Sequence, residues 1–306
     1  MATKTVTLTQ GSSKRAFRKN ITGYLFAAPA ILGFLIFTIG PMIASLAMSF
    51  TDYSVTGGAD YIGLSNFTNL FSGTDPYFYK SLWVTFYYVL LSVPMQIVYA
   101  FLLAILLNQN VRGLSIWRTI FYLPSIVPAV ALSLIWLWIL DPDLGLANEL
   151  LRMIGLPTSQ WVFAEETVIP TLAAMSMWTT GGTTIIFLAS LKNISKQMYE
   201  AVEIDGGSAL QKFRHITLPT MTPIIFYNLV MTLIGSFQVF SQAYIMTDGG
   251  PNNASMFYVF YLYREAFQFS RLGSSSAIAW VLFIIIMVAT MLIFKSSRSW
   301  VYYENK

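Results

Sequence analysis

Residues 81–107 read SLWVTFYYVLLSVPMQIVYAFLLAILL, without one charged side chain. A helix needs about 20 apolar residues to cross the hydrocarbon layer of a bilayer. Strands of a membrane barrel alternate over only about 10 residues, so the length of this run predicts a transmembrane helix. Five further runs have the same character: Gly23–Phe50, Ser115–Leu140, Val168–Leu191, Met221–Met246 and Ser274–Phe294. Arg118, near one end of the third run, is the only charged residue in any of them. The chain has 56% hydrophobic and 10% charged residues, against about 25% charged in soluble domains. These observations predict an all-α, polytopic membrane protein with six transmembrane helices in one domain. The first run is too long for a signal-peptide core and is read as a retained anchor.

The absent residue types exclude chemistry. There is no Cys, and His215 is the only His, so disulfides, thiolate catalysis, Cys-ligated metals and His clusters are ruled out. No Gly-x-x-x-x-Gly-Lys-Ser/Thr phosphate loop occurs, so the chain does not hydrolyse ATP by that route. An intramembrane serine protease needs a base within the membrane, and His215 lies between spans. No Asp, Glu, Lys or His lies deep in a span, which argues against a proton-coupled carrier.

The basic residues are placed asymmetrically. The N-terminal segment, the loop after span two, the loop after span four and the tail carry fourteen Lys and Arg; the other side carries four, Lys80, Arg152, Arg264 and Arg271. The positive-inside rule then puts both termini in the cytoplasm. The expected organisation is a basic cytoplasmic segment at 1–22, a first helix at 23–50, a core at 81–294 and a cytoplasmic tail at 295–306. The net charge of +4 reflects this bias, and its scatter predicts no nucleic-acid partner.

The loop between spans four and five, 193–219, reads NISKQMYEAVEIDGGSALQKFRHITLP. It predicts helix, break, helix. Ser195 is placed to cap a first helix ending near Ile204. Gly206 and Gly207 suit a sharp turn requiring positive φ. Ser208 and Gln211 form a capping-box pattern for a second helix. Ala209, Leu210, Phe213 and Ile216 share one face of that helix, and Pro219 is expected to end it.

This loop resembles the signature of permeases of ATP-binding cassette importers: Glu-Ala-Ala, two residues, Asp-Gly, then Ile-x-Leu-Pro. Glu200, Ala201, Asp205, Gly206, Ile216, Leu218 and Pro219 match; Val202 replaces the second Ala, and Gly207 a frequent Ala. The resemblance implies a type I ABC importer permease fold. It also implies that the loop docks into a cytoplasmic ATPase and transmits its closure. The coupling residues it implies are Glu200, Ala201, Glu203, Asp205, Gly206 and Gly207. The implied partners are two ATPase subunits, a second homologous permease making a heterodimer, and an extracellular solute-binding lipoprotein. No cofactor is expected on this chain, since ATP and magnesium would reside on the ATPases.

Further segments are similar to those of permeases for carbohydrates such as maltose, lactose and glycerol phosphate: Gly63–Phe67, Leu123-Pro124, and Thr247-Asp248-Gly249-Gly250-Pro251 after Tyr244-Ile-Met. They imply an importer for a carbohydrate, an oligosaccharide by subfamily. Amides hydrogen-bond hydroxyls and aromatic rings stack on sugar faces. The candidate pathway residues are therefore Asn228, Gln238, Gln242 and Tyr244 on span five, with Trp178 on span four. The same residue types also glue membrane helices together, and Gln96, Pro94, Pro124 and Pro128 are read as packing and kink features. The alternative is an autonomous ion-coupled secondary carrier, in which the 193–219 loop has no role.

Overall fold

The computed structural model describes residues 12–54, 57–109 and 112–302, with side chains from residue 23 onward. The basic side chains expected in segment 1–22, and Lys306, lie outside the described residues. The described chain is helical, with two isolated antiparallel bridges, Thr51–Tyr61 and Ser54–Arg271.

Four helices are long and apolar enough to cross a membrane unbroken: α1 (Gly23–Met48), α3 (Pro76–Leu107), α10 (Ala209–Phe237) and α12 (Leu272–Ser297). Two bent pairs supply the other expected spans. They are α4 (Leu114–Ile126) with α5 (Ala129–Ile139), and α7 (Val168–Trp178) with α8 (Gly181–Lys192). Shorter helices are α2 (Ser65–Phe71), α6 (Leu146–Met153), α9 (Lys196–Ile204) and α11 (Tyr258–Tyr263). Counting each bent pair as one crossing gives six spans.

α3 is the central post. Asp75 caps its start, its Oδ1 accepting from Tyr77 N at 2.8 Å. Fourteen of its residues are buried, and they run through both apolar clusters of the protein. One cluster joins α3 to α7, α11 and α12. The other joins its far end to α8 and the start of α10. Lipid tails are as apolar as leucine, so helices associate here through close packing and buried hydrogen bonds. Ala100, Ala104, Ala173 and Ala277 are fully buried. Thr85 Oγ1 accepts from Tyr258 N at 2.9 Å, and Tyr258 OH donates to Ile278 O at 3.0 Å. Asn66 is buried on α2 and ties down the end of α1, its Nδ2 donating to Ser49 O (2.9 Å) and Thr51 O (2.8 Å). By contrast α1 buries none of its apolar window within the chain.

The kink read at Pro124 and Pro128 is a sharp one, since α4 and α5 meet at 103° within the run 115–140, and two other expectations are corrected. Val127 is extended (ψ 130°) ahead of Pro128, the conformation that proline imposes on its predecessor. The run 221–246 is helical only to Phe237; Gln238 leaves the helix at φ −105°, ψ 20°, and helix resumes before a wide turn at Ala243–Thr247. Pro219 does not terminate the second loop helix. A π turn at Phe213–Thr217, in which Leu218 N–H reaches Phe213 O, carries the helix past it. The wider turn accommodates a residue that lacks an N–H and crowds the preceding carbonyls.

Candidate functional site

Two regions collect the candidate residues. The first is the corner between α9 and α10. α9 spans Lys196–Ile204 as expected, with Ser195 at its N-cap in extended conformation; Ser195 makes no side-chain capping bond. The helix closes in a paired arrangement: Gly206 N–H donates to Glu203 O (3.0 Å) and Gly207 N–H to Val202 O (2.7 Å). Gly206 has φ +75°, the left-handed conformation at which such a cap requires glycine. Gly207 is required for space, since a Cβ there would lie 2.3 Å from Val202 Cγ1 and 2.9 Å from Val202 O. The capping box forms: Ser208 N donates to Gln211 Oε1 at 2.6 Å, and Gln211 N to Ser208 Oγ at 3.4 Å.

The corner's side chains sort into two sets. Tyr199, Val202 and Phe213 pack inward on the cluster built by α3 and α8. Tyr199 OH meets Thr217 Oγ1 at 2.9 Å, and Phe213 sits 6.3 Å from the Phe101 ring. Glu200, Ala201, Asp205 and Gly206 face solvent. So do two large apolar side chains, Ile204 at 86% and Leu210 at 73% exposure. The expected single apolar face is thus divided, with Leu210 turned away from Phe213 and Ile216. Glu203 is not free: it bridges the corner by an ion pair to Lys212, which fastens α9 to α10.

The second region is a small, partly open cavity of about 180 Å³ lined by α3, α5, α7 and α10. Its polar lining is Tyr88, Gln96, Ser133, Ser176, Thr179, Thr232, Ser236 and Gln242. Gln242 reaches it because α10 breaks at Gln238, and Val239 in the break also lines it. Such interrupted backbone is tolerated at membrane depth only where it lines a cavity or is buried in protein. The other candidates lie elsewhere. Asn228 is buried and donates from Nδ2 to Ile224 O of its own helix at 2.9 Å. Gln238 is exposed. Trp178, half exposed, packs edge-on to the cavity residue Trp136 at 5.4 Å. Tyr244 belongs to an aromatic group beyond the cavity, stacked on Phe240 at 5.4 Å and edge-on to Tyr263 at 5.4 Å. Sequence reading missed Ser133, Ser176, Phe240 and Tyr263, and took Gln96 for packing alone. A polar residue recurring near the middle of three different apolar runs was the available signal.

At the end of the bundle opposite the corner, Glu265 is buried at 4% exposure, 3.7 Å from Arg271. Burial raises its carboxyl above the ordinary glutamate value; Arg271 opposes the rise and Asp75 adds to it. Tyr261 OH donates to Asp75 Oδ2 at 2.5 Å. Burial, with that acceptor bond, pushes the Tyr261 phenol well up.

Residues 96–301 match the family described as binding-protein-dependent transport system inner membrane component. A probable ABC transporter permease protein of Bacillus subtilis, YesP, is 43% identical over 95% of this chain and 96% of its own length. The arabinooligosaccharides transport system permease protein AraP of the same organism is 33% identical, covering 92% of this chain and 90% of its own. Among solved structures, a chain of a bacterial alginate ABC transporter, in complex with an alginate pentasaccharide-bound periplasmic protein, superposes with a TM-score of 0.82. It is 26% identical and covers 93% of this chain and 96% of that one.

Proposed function

Because this chain belongs to the family of binding-protein-dependent transport system inner membrane components, a multi-pass membrane subunit and not an enzyme, we propose that it is the permease subunit of an ATP-driven importer for a carbohydrate, an oligosaccharide in particular. Relatives named for arabinooligosaccharide transport and, in Thermococcus litoralis, for trehalose and maltose transport support the cargo class. The observation that carries the mechanism is the α9–α10 corner. It is exposed, rigidly capped and tipped by Ile204 and Leu210, which have no partner among the described residues.

In this reading the corner docks into a groove on a cytoplasmic ATPase. Glu200 and Asp205 meet basic groups there, Ala201 and Gly206 allow close approach, and Gly207 and the Glu203–Lys212 pair keep the corner's shape. α10 runs without interruption from Ala209 in the corner to Phe237 beside the cavity. At 1.5 Å per residue it is a lever of roughly 40 Å. Displacement of the corner on ATPase closure therefore moves Ser236, Gly235 and, across the break, Gln242. Alternation between inward- and outward-open states follows from that motion. ATP and magnesium reside on the partner ATPases.

The cavity of about 180 Å³ is below the roughly 300–1,000 Å³ of clefts for even small ligands. One chain thus supplies part of the pathway, and a second homologous permease completes it as a heterodimer. α1, which packs on α12 only through its C-terminal part and has no buried residue in its apolar window, is available to such a subunit. Amides and hydroxyls at Gln96, Gln242, Ser133 and Thr179 suit a neutral polyol, and Tyr244 with Trp178 offers stacking faces near the passage. Lys192, Lys196, Lys212, Lys295 and Arg298 gather at the corner's end of the bundle, which supports cytoplasmic termini. An extracellular solute-binding lipoprotein would deliver the sugar at the other end.

The test is a gentle detergent pull-down of this chain from native membranes with partners identified by mass spectrometry. Recovery of an ATP-binding cassette subunit, a second permease and a solute-binding protein is expected, and titrating that binding protein with sugars names the cargo. A partner-free chain that moves solute alone in liposomes would overturn the reading in favour of an ion-coupled carrier.

A further inference from the structure

A second cavity is larger than the polar one beside Gln242. It is an open groove of about 1530 Å³ along α12 and the tail that follows it, with Ile234 of α10 on its other wall, at the end of the bundle that carries the α9–α10 corner. Its length is lined by Ile234, Phe283, Met287 and Met291, and its end by Lys295 and Arg298. The end is built by the chain folding back after α12. Trp300 packs 6.1 Å from the Phe226 ring, and Tyr302 N donates to Thr222 Oγ1 at 2.8 Å. Both contacts reach α10, so the two helices are strapped together beneath the groove. Lys295 and Arg298 are exposed, and neither is paired with a carboxylate among the described residues.

We propose that this groove binds an anionic phospholipid, with the phosphate on Lys295 and Arg298 and an acyl chain along α12 toward Phe283. Three observations select this occupant. The wall from Phe283 to Phe294, apolar but for Thr290, rises about 17 Å at 1.5 Å per residue, the depth of one leaflet of a roughly 30 Å hydrocarbon layer. The volume exceeds the about 1,000 Å³ upper range of small-molecule clefts and suits a large amphiphile. Cations at the membrane surface attract an anionic headgroup. A transmembrane helix without acidic residues, such as α1 of this chain, offers no anion to these cations.

The test uses the assembled transporter, purified in mild detergent and followed by native mass spectrometry. It is titrated with dioleoylphosphatidylglycerol and, in parallel, with dioleoylphosphatidylcholine. Two cations near the headgroup predict a preference for phosphatidylglycerol of roughly 30-fold. Lys295→Gln with Arg298→Gln is expected to abolish it, whereas Lys192→Gln, at the same end but outside the groove, leaves it intact. Equal retention of the two lipids, or a preference unchanged in the double variant, overturns the proposal. A photoactivatable residue at Met287, with both cations present, provides a readout that does not depend on the double variant assembling. A lipid adduct is expected, and a crosslink to the second permease instead would also overturn the proposal.

Discussion

Replacing Gly206 by proline is the sharpest perturbation of the coupling corner. Gly206 sits at φ +75° and its N–H donates to Glu203 O at 3.0 Å. Proline has no N–H and holds φ near −65°, so the backbone must rotate by about 140° there. The hydrogen bond is lost at about 0.5–1.5 kcal/mol. The neighbouring bond from Gly207 to Val202 O depends on the same turn and goes with it. α9 and α10 are then no longer held at their present angle, and the surface formed by Glu200, Ala201, Ile204 and Asp205 is dispersed. Gly206→Ala separates conformation from hydrogen bonding. It keeps the N–H, and its Cβ meets no atom within 4 Å, so its cost is the left-handed penalty of about 1–2 kcal/mol. That is a factor of roughly 5–30 in the population of the formed corner. Neither change touches a span, so both variants are expected in the membrane at wild-type abundance. Sugar uptake and co-purification of the ATPase are the assays. The alanine variant should retain a reduced fraction of both, and the proline variant neither. Wild-type uptake by Gly206→Pro at equal abundance would refute the argument that this corner carries the coupling.

Gln242→Leu should lower uptake several-fold without loss of abundance, because Gln242 lines the polar cavity. Asn228→Leu should leave uptake close to wild type, since the Asn228 amide is spent on Ile224 O of its own helix; comparing the two in one uptake assay checks the assignment. Asn66→Ala removes both bonds to Ser49 O and Thr51 O. With two backbone carbonyls losing their donor, it should destabilise by about 1–3 kcal/mol, seen as a lower thermal midpoint in detergent. Glu265 has a carboxyl raised by burial, so its protonated form is favoured by folding. Its contribution is complete below the ordinary value of 4.5 and is lost as pH rises through the raised value. Thermal stability should therefore increase as pH falls through that window, and Glu265→Gln should flatten the response; an unchanged pH response in that variant would exclude Glu265 as its source.

The sequence by itself determined the features whose causes are local. Run length decided helices that cross a bilayer, because unpaired backbone in hydrocarbon is too costly for any open alternative. Lys and Arg counts in the loops decided the expected sidedness. Glycine chemistry and the Ser208–Gln211 cap decided the two-helix corner, and the structure closes it with Gly206 at positive φ. Tertiary structure decided the rest. The spans are apolar on every side, so no periodicity in the sequence marks which face is interior. The length of a run also does not distinguish a straight helix from the pair α4 and α5 meeting at 103°. Whether an amide in such a run serves a cavity or its own helix depends on what other helices bring alongside it. Asn228 and Gln242 are equal candidates in sequence, and only the break after Phe237 and the packing of α3, α5 and α7 separate them. Glu203 likewise reads as an acceptor for a partner until the fold places Lys212 across the corner from it.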